Sequence, residues 1–287
     1  MTTLAQRLAP RGVTYLPVEA SPTRAALYSL VGRLTVHDWA VTYGDLDWEK
    51  AAAELRDPDL IYPDYYLCNR HGVHGGYLTG WQAIGWSVAA AFYGLAPLYR
   101  RLARRVAAQV PTAARIVDIG AGTGEWLMDL RALFPTAQFI AADLSPMMLA
   151  ALAHRWERSG YPAPALQLLH AAGERLPLAD ASCDIVTALL VLHELPPTAT
   201  QALFAEARRV LKPGGIFVTL DAIQQPIPLP WLNEMGVRAV AALFHEPDFR
   251  QYTHLDLPVV AQTAGFGTLH RHFYGRLPWK FQIQEAS

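Results

Sequence analysis

From residue 111 onward, short apolar runs alternate with amphipathic stretches, and the two periods change places at regular intervals. Arg115-Ile-Val-Asp118 predicts a short buried strand and Trp126 to Phe134 a helix. Gln138 to Asp143 predicts a second strand, Pro146 to Arg158 a second helix, and Ala165 to His170 a third strand. A long apolar fourth strand is expected at Asp184 to Leu192. Thr198 to Leu211 follows as a helix stopped by Lys212-Pro213-Gly214-Gly215, and Ile216 to Leu220 as a fifth strand. Short strands alternating with helices imply βαβ units, a mostly parallel sheet and right-handed crossovers. Residues 222–265 read as a helical insertion, and Thr268–Tyr274 with Leu277–Gln284 as a closing hairpin, which brings the sheet to seven strands.

The first 110 residues have a different texture. Residues 1–20 show no periodicity and read as a leader; Ser21-Pro22 then looks like a helix cap with proline at the first helical position. A helix is expected at Trp48 to Leu55, ended by Asp57-Pro58. Tyr62 to Tyr77 packs tyrosines, histidines and glycines too densely for a plain connector. Thr79 to Val110 predicts a long helical region broken near Pro97. Within it, Ala83 to Tyr99 is uncharged but short for a membrane span, contains Gly85, Gly94 and Pro97, and runs into Arg100 and Arg101, so a buried helix is expected. No Gly/Ser-rich or charged linker separates the two halves. The expected organisation is a mostly helical cap over 1–110 and an α/β domain over 111–287.

Composition narrows the partners. Lys and Arg number 24 against 25 Asp and Glu, a net charge of -1, which leaves no basic footprint for nucleic acid. Hydrophobic residues make up 52 % and charged ones 17 % of the 287 residues, so the apolar surplus must fill a core, a ligand cavity, a subunit interface or a membrane-facing surface. A homodimer and peripheral membrane contact therefore stay open, while no transmembrane span is expected. Cys68 and Cys183 lie far apart and in no metal-ligand spacing, which predicts neither disulfide nor zinc site and suits a reducing compartment. With no apolar signal-peptide core near Arg7 and Arg11, a cytoplasmic location is expected.

The chemistry concentrates in Val117-Asp-Ile-Gly-Ala-Gly-Thr-Gly124, where a strand turns into a helix. Gly120, Gly122 and Gly124 allow a tight turn and close backbone approach to a ligand, with helix N–H groups facing it. The spacing is GxGxG. A dinucleotide fingerprint would need glycine at 125, and Glu125 instead adds negative charge where a pyrophosphate would sit. That favours a ligand with a cationic end and no phosphate. Asp143 ends the second strand, placed to accept both ribose hydroxyl protons of an adenosine; Ser145 already supplies the cap for the next helix.

With these motifs the chain resembles the class I S-adenosylmethionine-dependent methyltransferases, from about Arg115 to Leu220. Val117 to Gly124 is similar to the family's first motif, and Phe139 to Asp143 to its second. Arg175-Leu-Pro-Leu178 with Ser182-Cys-Asp184 is similar to the segment entering strand four, and Leu211 to Gly215 to the turn before strand five. The resemblance implies a Rossmann-like α/β fold with helices on both faces and S-adenosyl-L-methionine as cofactor. It implies that Asp118, Gly120, Ala121, Gly122 and Gly124 embrace the methionine part, that Asp143 holds the ribose, and that Leu144 and Met147 flank the adenine. The acidic residue that often binds the adenine amino group falls here on Ala172 or Gly173, with Glu174 next.

Methyl transfer needs proximity, alignment and, for a protic acceptor, a base; it requires no metal. His193, beside Glu194, is the first choice as base because strand C-termini are where open α/β sheets bind ligands. His71 and His74 in the early loop and His245, beside Glu246, are the alternatives. The segments that cover the acceptor in this family are here rich in Tyr62, Tyr65, Tyr66, Tyr77, Trp81, Trp86, Phe92, Trp231, Leu232 and Phe244. They point to a small, largely apolar acceptor such as a phenol, quinone, polyketide or lipid-like molecule, methylated on oxygen or carbon. A methyltransferase of a protein substrate and a non-catalytic cofactor-binding protein are the rival readings.

Overall fold

The computed structural model describes residues 43, 45–68, 70–71, 76–92, 95–222, 224, 230–244, 246–267, 269–276 and 279–286. The leader, the cap expected at Ser21-Pro22, His74 and His245 lie outside these residues. Strands β1 (Arg115–Ile119), β2 (Gln138–Asp143), β3 (Leu166–His170), β4 (Cys183–Leu189) and β5 (Leu211–Ala222) form a parallel sheet. β6 (Leu269–Arg276) and β7 (Trp279–Ala286) join it as an antiparallel pair, giving the order β3-β2-β1-β4-β5-β7-β6.

Both faces of the parallel strands are covered, as the period-two alternation of their side chains requires. On one face Ile116, Phe139, Ile185 and Val218 pack against helices α3 (Leu95–Gln109), α4 (Glu125–Leu133) and α5 (Pro146–Arg158) through Leu102, Val106, Leu130 and Leu152. On the other, Val117, Ile140, Val186 and Phe217 meet α6 (Pro197–Val210) through Leu203, Phe204 and Ala207. Each neighbour along a strand thus serves the opposite layer, which is why these runs are apolar throughout. Helices α1 (Trp48–Leu55) and α2 (Gly80–Phe92) precede the sheet. Between β5 and β6 lie α7 (Pro230–Phe244), α8 (Phe249–His254) and α9 (Leu257–Thr263).

Local chemistry sets the boundaries. Asp47 caps α1 by accepting from the Lys50 N–H at 3.1 Å, and Ser145 caps α5 by accepting from Met148 N–H at 3.1 Å with Pro146 behind it. Over the region expected to be helical at 79–110, one helix ends at Phe92 and the next begins at Leu95, close to Pro97 as expected. Pro97 sits in the first turn of α3, where its missing N–H forfeits no helical hydrogen bond. Lys212 to Gly215 is not a loop between helix and strand: β5 starts at Leu211, and the extra residues form a bulge between the Cys183–Leu211 and Ile185–Ile216 pairs. β4 ends at Leu189, earlier than expected, because Leu190 takes a left-handed backbone (φ 58°) and a 3-10 turn, Leu192–Glu194, follows. His193 therefore rides on that turn and not on the strand. Both cysteines are free, and among the described residues no helix is long and apolar enough to cross a membrane.

Candidate active site

A cavity opens at the carboxyl ends of β1, β2 and β4, the edge at which parallel α/β sheets leave a crevice for ligands. Its floor is the loop after β1. Gly120 sits at φ 66°, and a Cβ there would lie 2.5 Å from the Val191 side chain, so only glycine fits. Asp118, Gly120, Ala121, Gly122, Asp143, Leu144, Gly173 and Glu174 all line this cavity. Gly124 does not. It turns into α4 at φ 80°, and its missing Cβ makes room for Leu152, 2.7 Å from where that atom would be. Met147 is buried and does not line the cavity; its neighbour Met148 does.

The two aspartates are held differently. Asp118 accepts from the Thr187 hydroxyl at 2.6 Å; burial raises its carboxyl to about 7 against that bond. Asp143 accepts backbone N–H groups from Ser145 at 2.7 Å and Gly122 at 2.8 Å, and burial raises it to about 6. Asp143 therefore shapes the glycine loop as well as facing the cavity. Glu125 also lines the cavity but is no free anion: Arg155 donates to it at 2.9 Å, and Ser87 and Thr123 add hydroxyl donors. The cationic end inferred from its charge loses that support. Glu174 accepts from Tyr65 at 2.5 Å.

The far wall comes from residues before 111. Tyr65, Tyr66, Tyr77 and Trp86 line it, with the Trp86 indole 3.6 Å from the position of a Cβ on Gly122. Tyr62 turns away to His170, at 2.9 Å, and Trp231 is 64 % exposed, so neither is a wall residue.

Beneath those aromatics lies a charged cluster. Arg70, 1 % exposed, donates to Glu194, to Asp248 at 3.1 Å and to the Tyr65 carbonyl at 2.9 Å. His71 places Nε2 2.9 Å from Glu194 Oε1 and 2.7 Å from the Tyr77 hydroxyl, and Nδ1 3.1 Å from Glu246. Tyr77 also donates to Glu194. His71 holds this position with φ 54°, a left-handed backbone uncommon outside glycine. Burial works against the charge of Glu194, but Arg70 and His71 outweigh it and keep the carboxyl well below its usual range.

His193 lies at the same end. Its Nδ1 is 2.7 Å from Asp221, whose carboxylate also accepts the Leu192 N–H at 2.8 Å. Its Nε2 lies 3.8 Å from Glu194 Oε1, and the residue lines the cavity. Burial opposes its charge, yet Asp221, helped by Glu246 and Glu194, pushes the imidazole up to about 10. It starts as a held cation, and taking a proton requires losing this one first. Sequence reasoning missed Arg70 and Asp221. Asp221 had a signal, an acid near the end of an apolar strand as at Asp143; Arg70 had none beyond its crowded surroundings.

Residues 116–215 match a family model described as a methyltransferase domain. The demethylmenaquinone methyltransferase of Lactiplantibacillus plantarum is 31 % identical over 209 residues, covering 66 % of this chain and 86 % of that protein. The malonyl-[acyl-carrier protein] O-methyltransferase of Methylococcus capsulatus is 35 % identical over 141 residues, 47 % of this chain; the match spans about half, 49 %, of that relative. An O-methyltransferase family protein from Burkholderia thailandensis shares the fold at a TM-score of 0.53 and 15 % identity, over 72 % of this chain and 59 % of that one. The left-handed turn at Gly120 that lines the cavity, with the buried carboxyls of Asp118 and Asp143 beside it, fits the cofactor this family implies. The chain belongs to the class I S-adenosylmethionine-dependent methyltransferases.

Proposed function

We propose that this methyltransferase acts on oxygen or carbon of a small molecule that combines an apolar body with a polar reacting end. One observation carries the reading: a single cavity joins the glycine cradle to the aromatic and His193-bearing wall. Bound S-adenosyl-L-methionine supplies a methyl carbon made electrophilic by its sulfonium. The chain's own part is to hold and align. Asp118 and the Gly120–Gly122 backbone would take the methionine end, Asp143 the ribose, and Leu144 and Met148 the adenine. Tyr65, Tyr66, Tyr77 and Trp86 would clasp the acceptor, so residues before 111 work as a cap on the domain that follows. The name of the demethylmenaquinone methyltransferase supports a small acceptor, and that of the malonyl-[acyl-carrier protein] O-methyltransferase supports transfer to oxygen.

Once it has given up its own proton, His193 would meet the acceptor through Nε2, with Asp221 as the positioning residue on Nδ1. His193→Ala should lower turnover by roughly 10²–10⁴-fold, the range of a positioned acid–base group, with cofactor affinity unchanged. Asp221→Asn should lose less and shift the pH profile. Wild-type turnover by His193→Ala would return the residue to a structural role.

Proton linkage gives a second check. Asp118 at about 7 and Asp143 at about 6 lie above the 3.8 of a free aspartate because both are buried. The ionisable groups around them are Glu125, held by Arg155, Glu174, held by Tyr65, and the phenols of Tyr66 and Tyr99. A cationic cofactor favours the charged carboxylates, so its binding should release protons below pH 7, and affinity should rise from pH 5 to 7 and then level. In the cofactor-free chain the sign is opposite. The folded state binds more protons than the unfolded one between about pH 4 and 7, so this contribution to stability is lost as pH rises through that window. Calorimetry in buffers of different ionisation enthalpy reads the release; none at pH 6 would remove both aspartates from cofactor binding.

A further inference from the structure

We propose that His71, Glu194 and Glu246 form a binding site for one divalent first-row transition ion beside the acceptor end of the cavity. Each of the three offers a ligand atom, and these atoms lie within 4.8 Å of one another. They come from three separate segments: the loop before α2, the turn after β4 and the chain just after α7. The independent observation is Glu246. It is 5 % exposed, its Oε1 is on the His71 imidazole, and its Oε2 is buried with no hydrogen-bond partner among the described residues. A buried carboxylate oxygen left unsatisfied is costly, and native structures rarely keep one without an ion or water to meet it.

The charge balance points the same way. Glu194, Asp221, Glu246 and Asp248 bring four carboxylates into the cluster, and Arg70 is its one permanent cation among the described residues. With His71 neutral as a ligand, Arg70 and the His193 imidazolium leave the cluster short of positive charge, which a divalent ion supplies. One imidazole and two carboxylates suit manganese, cobalt or zinc better than magnesium or calcium, which favour all-oxygen sets. The Tyr77 hydroxyl, 2.7 Å from His71 Nε2, is a further oxygen at the same place. An ion here would tie the early loop to the sheet domain, next to His193.

The test uses the full chain, stripped with a chelator and titrated with Co²⁺ while visible absorption is followed. Expected are one equivalent bound, d–d bands of a low-symmetry N/O site, their loss on adding Zn²⁺, and a higher melting temperature with metal. Glu246→Gln and His71→Ala should each weaken binding at least about tenfold. Circular dichroism and S-adenosylmethionine titration show that each variant is folded. No saturable Co²⁺ binding by the wild type would overturn the proposal whatever the variants do. So would unchanged affinity in both folded variants, which would place the ion elsewhere.

Discussion

Asp143→Ala should weaken S-adenosylmethionine binding by roughly 10²–10⁴-fold, the loss of two hydrogen bonds to a charged acceptor at about 1.5–3 kcal/mol each. The residue does two things, and the substitution removes both. Its oxygens hold the N–H groups of Gly122 and Ser145, which fixes the glycine loop against the start of α5. The same carboxyl faces the cavity, where remaining lone pairs can meet ribose hydroxyls. Asp143→Asn separates the roles: it keeps a carbonyl for one backbone donor and removes the charge. Calorimetric titration of both variants, with circular dichroism on each, gives the answer. A folded Asp143→Ala that binds like wild type would mean the ribose is held by another group.

Arg70→Met should cost about 3–5 kcal/mol of folding stability, the range for breaking a buried ion pair from one side. Arg70 is 1 % exposed and serves Glu194, Asp248 and the Tyr65 carbonyl at once. Methionine fills the volume but leaves two carboxylates in a low-dielectric site without their cation. Against a typical total of about 5–15 kcal/mol, that loss is large. Urea denaturation measures it, and adding Asp248→Asn to Arg70→Met should recover part of the loss by removing one stranded charge. A cost under about 1 kcal/mol would show that water reaches these acids and that the cluster is not sealed.

Much of this architecture was readable in one dimension because it rests on local chemistry. The strand over 138–143 and the helices over 48–55 and 146–158 have the bounds that their periodicity and caps predict. Where a backbone special case intervened, reading by pattern went astray. Apolar residues continue past Leu189, so nothing in hydropathy marks the left-handed Leu190 that ends β4. The bulge at Lys212–Gly215 has the composition of a turn, yet its flanks pair across the same ladder. The Met147-to-Met148 exchange is a matter of about 100° of helix rotation, finer than composition can resolve.

The amino-acid sequence by itself determined the sheet's core, the glycine turn after β1 and the acid ending β2, since these depend on period, on backbone freedom and on residues close along the chain. Only the tertiary structure decided which charges are free. Glu125 looks like an available anion until Arg155, 30 residues away, closes on it. His193 looks like a strand-end base until Asp221 takes its Nδ1, and His71 gains meaning only beside Glu194, 123 residues on, and Glu246. Electrostatic character belongs to groups within a few ångströms of each other and to their burial. Neither quantity exists until the chain has folded.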